Sequence, residues 1–123
     1  MRIKAAVWIA GMMLLLVAPA ANAHHSVSMY DMEHPSTYKG VVNRIEWTNP
    51  HAYVYLDVKN EKGEVEEWAM EINSPNFLRH NGWTSTTVKP SDVITCTGGA
   101  AKSGAKTMRC TSVTLADGLV LRS

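Results

Sequence analysis

Cysteine is scarce in this chain. Only Cys96 and Cys110 occur in 123 residues. Their spacing fits neither a C-x-x-C redox motif nor a zinc site. No basic tract exists outside the first four residues, which argues against nucleic acid as a partner. Past Ala23 no apolar segment is long enough to span a membrane, which takes about 20 residues. No internal repeat is visible, and no Ser-His-Asp or Cys-His arrangement is indicated. Gly98-Gly99 near Lys102 lack the strand–loop–helix context of a phosphate loop. Glu67 and Glu71 are four positions apart on a predicted strand. At about 3.3 Å per residue that sets them ~13 Å apart, too far for a cooperating acid–base pair. No enzyme is expected.

The first 23 residues are organised differently. "MRIK" carries Arg2 and Lys4, "AAVWIAGMMLLLVAPA" is apolar, and "ANA" places small residues at the −3 and −1 positions of a cut after Ala23. That is the pattern of a secretory signal peptide, residues 1–23. The expected location is periplasmic or secreted. Removing Arg2 and Lys4 from the twelve Lys and Arg leaves ten against eleven Asp and Glu, a mature net charge of about −1. The remaining length fits one small domain.

Residues 24–36, "HHSVSMYDMEHPS", are polar and without period, and read as an extended N-terminal arm. Residues 37–123 then read as strands. "YKGVVNRIEW" puts Val41, Ile45 and Trp47 on one side and Val42, Arg44 and Glu46 on the other. "NP" at 49–50 forces a bend. "HAYVYLDVK" alternates, with Ala52, Val54, Leu56 and Val58 opposite His51, Tyr53, Tyr55 and Asp57. "NEKGE" is a hairpin turn, and "VEEWAMEI" a third strand with Trp68, Met70 and Ile72 toward the core. "SPNFLRHNGW" predicts a short helix, with Ser74 as N-cap, Pro75 in the first helical position and Gly82 as C′. His80 falls at its end, where a cationic ring suits the dipole. Two more strands follow, then an "ADG" turn and a last short strand in "LVLRS". This order predicts an all-β fold with one short helix, a five-stranded OB-like Greek-key barrel. A small open β-sandwich is the alternative.

In "VITCTGGAAKSGAKTMRCTSV", Ser103 lies midway between Cys96 and Cys110. The two can face each other across a hairpin, and an exported protein meets an oxidising compartment. A Cys96–Cys110 disulfide is the expectation; two free thiols or a thiolate metal site are the alternatives.

The candidate chemistry lies at the predicted cut. Cleavage after Ala23 makes His24 the N-terminus, with an α-amine of pKa about 7.7–8.0 and an imidazole of about 6.5. Both can serve as metal ligands at neutral pH. His24 can chelate through amine and ring nitrogen, and His25 or His51 can add an imidazole, resembling the histidine brace of copper proteins. Nitrogen ligands in a tetragonal arrangement favour Cu(II), and the thioethers of Met29 and Met32 suit Cu(I). An exposed polar terminus with no metal is the plainer reading, and His51 can equally cap the bend at Asn49.

Tyr53 and Tyr55 form a stripe beside Glu67 and Glu71 on the predicted outer face of strands 2 and 3, where OB domains often bind ligands. It offers a platform for a small molecule or an envelope protein. Cross-strand pairing alone also accounts for such aromatics. The leading expectation is an exported copper or similar metal carrier or buffer. The alternative is a metal-free binding module using that outer face.

Several stretches resemble a family of small exported bacterial proteins classed as a domain of unknown function. They are "AHHS" at the cut, "YD" at 30–31, "G-V-V-x-x-I-E-W-T-N-P-H" at 40–51, "W-A-M-E-x-x-S-P-N-x-L" at 68–78, "GW" at 82–83 and "K-P-S-D-V-I" at 89–94. The family pattern has Gly-Asp where this chain has Ser91-Asp92, and the cysteines lie outside it. The resemblance implies export and a single β-rich domain, and carries no established activity.

Overall fold

Alternation along "YVYLDVK" builds the centre of the fold. In the computed structural model, which describes residues 27–123, this stretch is strand β2 (Tyr53–Lys59). Val54 and Leu56 are fully buried, while Tyr53, Tyr55 and Asp57 face outward. Each such buried aliphatic contributes roughly 1.5–3 kcal/mol. The other strands are β1 (Ser36–Glu46), β3 (Val65–Glu71), β4 (Val93–Ala100), β5 (Thr107–Thr114) and β6 (Val120–Arg122), and between β3 and β4 lies the short helix α1 (Pro75–His80).

β1 has 11 residues and serves two neighbours. Its first half pairs with β4, from Ser36↔Gly98 to Val41↔Val93. Its second half pairs with β2, from Val41↔Asp57 to Glu46↔Tyr53. At the crossover a Cβ on Gly40 would stand 2.6 Å from the Asp57 carbonyl oxygen, so only glycine admits this approach. β2 pairs with β3 and β4 with β5, all antiparallel. The parallel register Ala69↔Thr107, Met70↔Met108, Glu71↔Arg109 joins β3 to β5 and closes the circuit. The result is a closed five-strand barrel with one short helix, consistent with an OB-like fold rather than an open sandwich. β6 adds to β5 outside that circuit.

One facing expectation is corrected. The β1–β2 register shifts between Val42 and Arg44. The extra residue of this β-bulge reverses the alternation. Val42 therefore points into the core at 2% exposure and Val41 points out at 44%. Ile45 and Trp47, beyond the bulge, pack against the core as the alternation indicated.

Helix α1 connects β3 to β4. Ser74 Oγ accepts from Phe77 N at 3.3 Å, Pro75 opens the helix, and Arg79 and His80 occupy its last turn. Gly82 follows the Asn81 C-cap at φ +89°, the left-handed C′ role the sequence assigned it. Pro75 and Leu78 turn inward. Trp83 is buried behind the helix and its Nε1 donates to the Arg122 carbonyl at 2.8 Å, tying this loop to β6.

The segment before β1 is pinned to the end of β4. Asp31 N donates to the Ala100 carbonyl at 2.9 Å, Lys102 N donates to the Met29 carbonyl at 2.9 Å, and Tyr30 forms a bridge with Ala101. Gly99 makes this possible: a Cβ there would stand 2.6 Å from Met32 Sδ and 2.7 Å from the Asp31 carbonyl oxygen. A Cβ on Gly98 would overlap the Arg109 carbonyl oxygen. The glycine pair serves backbone packing on two sides.

The sulfur chemistry differs from the leading expectation. Cys96 and Cys110 are both buried and both free thiols, so the expected disulfide is not formed in the structure. The register shift between Thr97 and Gly98 sets Gly98, not Cys96, opposite Cys110, while Cys96 faces Val113. The two thiols are hydrogen-bond partners. That bond, with burial behind it, holds the Cys110 pKa well above the usual thiol range.

Candidate functional site

Three strands and the N-terminal segment converge on one carboxylate. Glu71, the last residue of β3, has a side chain only 5% exposed. It pairs with Tyr53 on β2 and, through the parallel closure, with Arg109 on β5. A buried carboxylate is costly unless it is paired and hydrogen-bonded. Glu71 is both. Tyr30 Oη donates to Oε2 at 2.8 Å. His51 Nδ1 lies 3.2 Å and Arg109 Nη1 3.6 Å from Oε1. Arg109 Nη1 also donates to the Ile72 carbonyl at 2.8 Å, which fixes the guanidinium at the strand end.

His51 arrives there because pairing continues past the ends of β2 and β3. Ala52 N donates to the Asn73 carbonyl at 3.1 Å and Ile72 N to the Ala52 carbonyl at 3.0 Å. The bend before it contains a cis Asn49–Pro50 bond. The His51 side chain is 31% exposed. The Glu71 carboxylate beside Nδ1 favours the tautomer with its proton on that nitrogen, which leaves the lone pair on Nε2. No partner meets Nε2 among the described residues. A carboxylate behind one ring nitrogen with the other open is the outer-shell arrangement of metal-binding histidines.

Burial, with the Glu71 carboxylate adding to it and the Thr107 hydroxyl opposing, pushes the Tyr30 phenol up to about 12. Burial and the same carboxylate also raise Tyr53. Both phenols are therefore neutral donors at any physiological pH.

The predicted outer-face stripe does not stay together. Glu71 was expected on the open face; Tyr30 lies over it and it is buried, a correction the sequence of strands 2 and 3 could not supply. Tyr53 belongs to the Glu71 cluster. Tyr55 and Glu67 belong to another, built on Arg44, whose guanidinium stacks 3.5 Å over the Tyr55 ring and whose Nη1 lies 3.2 Å from Glu67 Oε1. Tyr53 and Tyr55 remain in contact, with centroids 6.3 Å apart. The chain's own Arg44 thus occupies the cation position over the predicted platform.

Of the proposed metal ligands, His24 and His25 lie outside the described residues. Met29 is 57% exposed, while Met32 packs against Gly99. Among the described residues no three His, Cys, Asp or Glu side chains gather into a metal site, so the folded part offers His51 alone with its carboxylate support. Tyr30 and Arg109 join the site from outside the residues the sequence singles out. Arg109 carried a faint signal, a cation flanked by buried Met108 and Cys110, but the parallel closure that delivers it to Glu71 leaves no local mark.

Among the described residues no helix is long and apolar enough to cross a membrane. Neither a curated protein nor a solved structure matches the chain. A family does, over residues 12–109, which include the His51–Glu71 pair, Tyr30 and Arg109. The chain belongs to the family of unknown function DUF6152.

Proposed function

We propose that the protein is an exported metal carrier or buffer, with copper the favoured ion, working in the periplasm or outside the cell. Cleavage after Ala23 creates the ligand set. His24 supplies its α-amine and ring nitrogen, and His51 Nε2 supplies the imidazole from the folded domain, with His25 the substitute. No catalytic role is assigned.

One observation carries this reading: Glu71 holds both Tyr30 and His51, at 2.8 and 3.2 Å. The carboxylate that orients the imidazole also anchors the N-terminal segment. Tyr30 lies six positions after His24. At no more than 3.3–3.6 Å each, that keeps His24 within about 20 Å of its anchor. Tying the terminus to the domain lowers the cost of bringing a second ligand to His51, the usual gain from a short tether. Imidazole and amine nitrogens suit Cu(II), and the exposed Met29 thioether suits Cu(I).

The test is a Cu(II) titration of protein beginning at His24, its terminus verified by intact mass. The controls are the same protein with one alanine ahead of His24, and His51→Ala. One tight equivalent for the native terminus and at least tenfold weaker binding for both controls is the expected result. Equal binding by all three sinks the proposal.

A further inference from the structure

On the outer face, away from the Glu71 cluster, lies an open groove of about 470 Å³ lined by Lys39, Gly40, Val41, Asp57, Lys59, Val65 and Val93. Its floor is aliphatic and exposed: Val41 is 44%, Val65 62% and Val93 39% accessible. Val41 is paired with Val93 on β4, and Val65 with Lys59 on β2. The bulge in β1 produces this surface, because it turns Val41 outward where simple alternation would bury it.

Two ammonium groups flank the valines. Lys39 on β1 and Lys59 on β2 both line the groove. Among the described residues neither lysine has a carboxylate within ion-pair distance. Asp57, the acid lining the groove, instead accepts from Asn43 Nδ2 at 3.4 Å.

We propose that this groove binds a monomeric aliphatic carboxylate. The chain of the ligand covers Val41, Val65 and Val93, and its carboxylate sits between Lys39 and Lys59. Charge complementarity selects the anion, since two lysines against one aspartate line the groove. The aliphatic floor selects the unbranched tail over a small inorganic anion. Pockets of this volume fall in the range of small-ligand sites. The site shares no residue with the His51 cluster and does not depend on the metal reading.

The test is calorimetric titration of metal-free protein with octanoate, using octan-1-ol as the uncharged probe and following the valine methyl signals by NMR. One equivalent of octanoate binds, the methyls of Val41, Val65 and Val93 shift, and octan-1-ol binds at least tenfold more weakly. The double variant Lys39→Gln/Lys59→Gln, on exposed positions that leave the fold intact, binds octanoate no better than octan-1-ol. Val65→Ser weakens octanoate while keeping both cations. Equal binding of the two probes, unshifted valine methyls, or full octanoate affinity in the double variant overturns the proposal. So does binding confined to anionic phospholipid vesicles with none to monomeric octanoate, which assigns the groove to a lipid surface.

Discussion

Tyr30 crosses 41 positions of sequence to donate its hydroxyl to Glu71 Oε2 at 2.8 Å, in the buried interior of the site. It joins the segment before the barrel to the last residue of β3. The same carboxylate has His51 Nδ1 and Arg109 Nη1 on its other oxygen. One side chain thus couples the N-terminal segment, the bend before β2 and the parallel closure of the barrel.

Tyr30→Phe deletes one donor to that carboxylate, together with the hydroxyl's contact to Thr107. Hydrogen bonds to charged groups are worth about 1.5–3 kcal/mol. Urea unfolding should show a loss of this size, and limited proteolysis before β1 should speed up. In a double-mutant cycle with Glu71→Gln the two losses should fail to add, because one deletes and the other weakens the same bond. Strict additivity means the bond is not made in solution.

Stability should fall at high pH through Tyr30. The phenol ordinarily ionises near 10 and in the folded chain near 12. Below pH 10 both states keep the proton and the stabilisation is complete. Between about 10 and 12 the unfolded state releases it and the folded state does not, so unfolding becomes easier as pH rises. A shift of this kind is worth on the order of 1–3 kcal/mol. Thermal melts across that window should decline more steeply for the native protein than for Tyr30→Phe; identical slopes would assign the decline to other groups.

Ser91 offers a gain. It has φ +79°, at the third position of a turn whose ends are joined by Asp92 N to the Lys89 carbonyl at 3.1 Å. The left-handed region costs a non-glycine residue about 1–2 kcal/mol. Ser91→Gly should therefore raise the melting temperature, against a partial offset from glycine's freedom when unfolded. An unchanged or lower melting temperature contradicts the strain.

Gly99→Ala should detach the N-terminal segment. The new methyl would stand 2.6 Å from Met32 Sδ and 2.7 Å from the Asp31 carbonyl oxygen. Met32 can move, but the carbonyl belongs to the residue whose own amide binds Ala100. Amide hydrogen exchange should quicken at Asp31 and Lys102 while the β2–β3 amides keep their protection. Uniform protection in the variant would mean that the segment adjusts without release.

The thiols of the reduced protein should be masked. Cys96 and Cys110 are both 0% exposed, and the raised pKa of Cys110 suppresses its thiolate. A chromogenic disulfide reagent should find neither in the native state and both in denaturant. Rapid labelling without denaturant contradicts the burial.

Local pattern carried a good part of this fold. Alternation in "HAYVYLDVK" names the residues that β2 buries, because a strand on a closed barrel has one wet face and one dry one. Ser74, Pro75 and Gly82 mark the helix, since capping and φ preferences act within a turn. The order of strands and helix was enough to indicate an OB-like barrel. The bulge in β1 was not legible: a single extra residue puts the side chains before and after it in opposite phase without changing composition. The thiol pair was visible as two cysteines flanking a turn, but the register shift that offsets them was not.

The sequence by itself determined the elements and the residue types available for the site, His51 and Glu71 among them, because those depend on interactions between near neighbours in the chain. Only the tertiary structure decided that Glu71 is buried rather than open, and that Tyr30 and Arg109 are its partners. Those contacts span 41 and 38 positions, and they exist because β5 closes in parallel on β3 and the N-terminal segment pairs with the end of β4. Strand order and the bulge in β1 likewise set Val41, Val65 and Val93 near Lys39 and Lys59, a surface whose members lie on four neighbouring strands and meet only in the folded sheet.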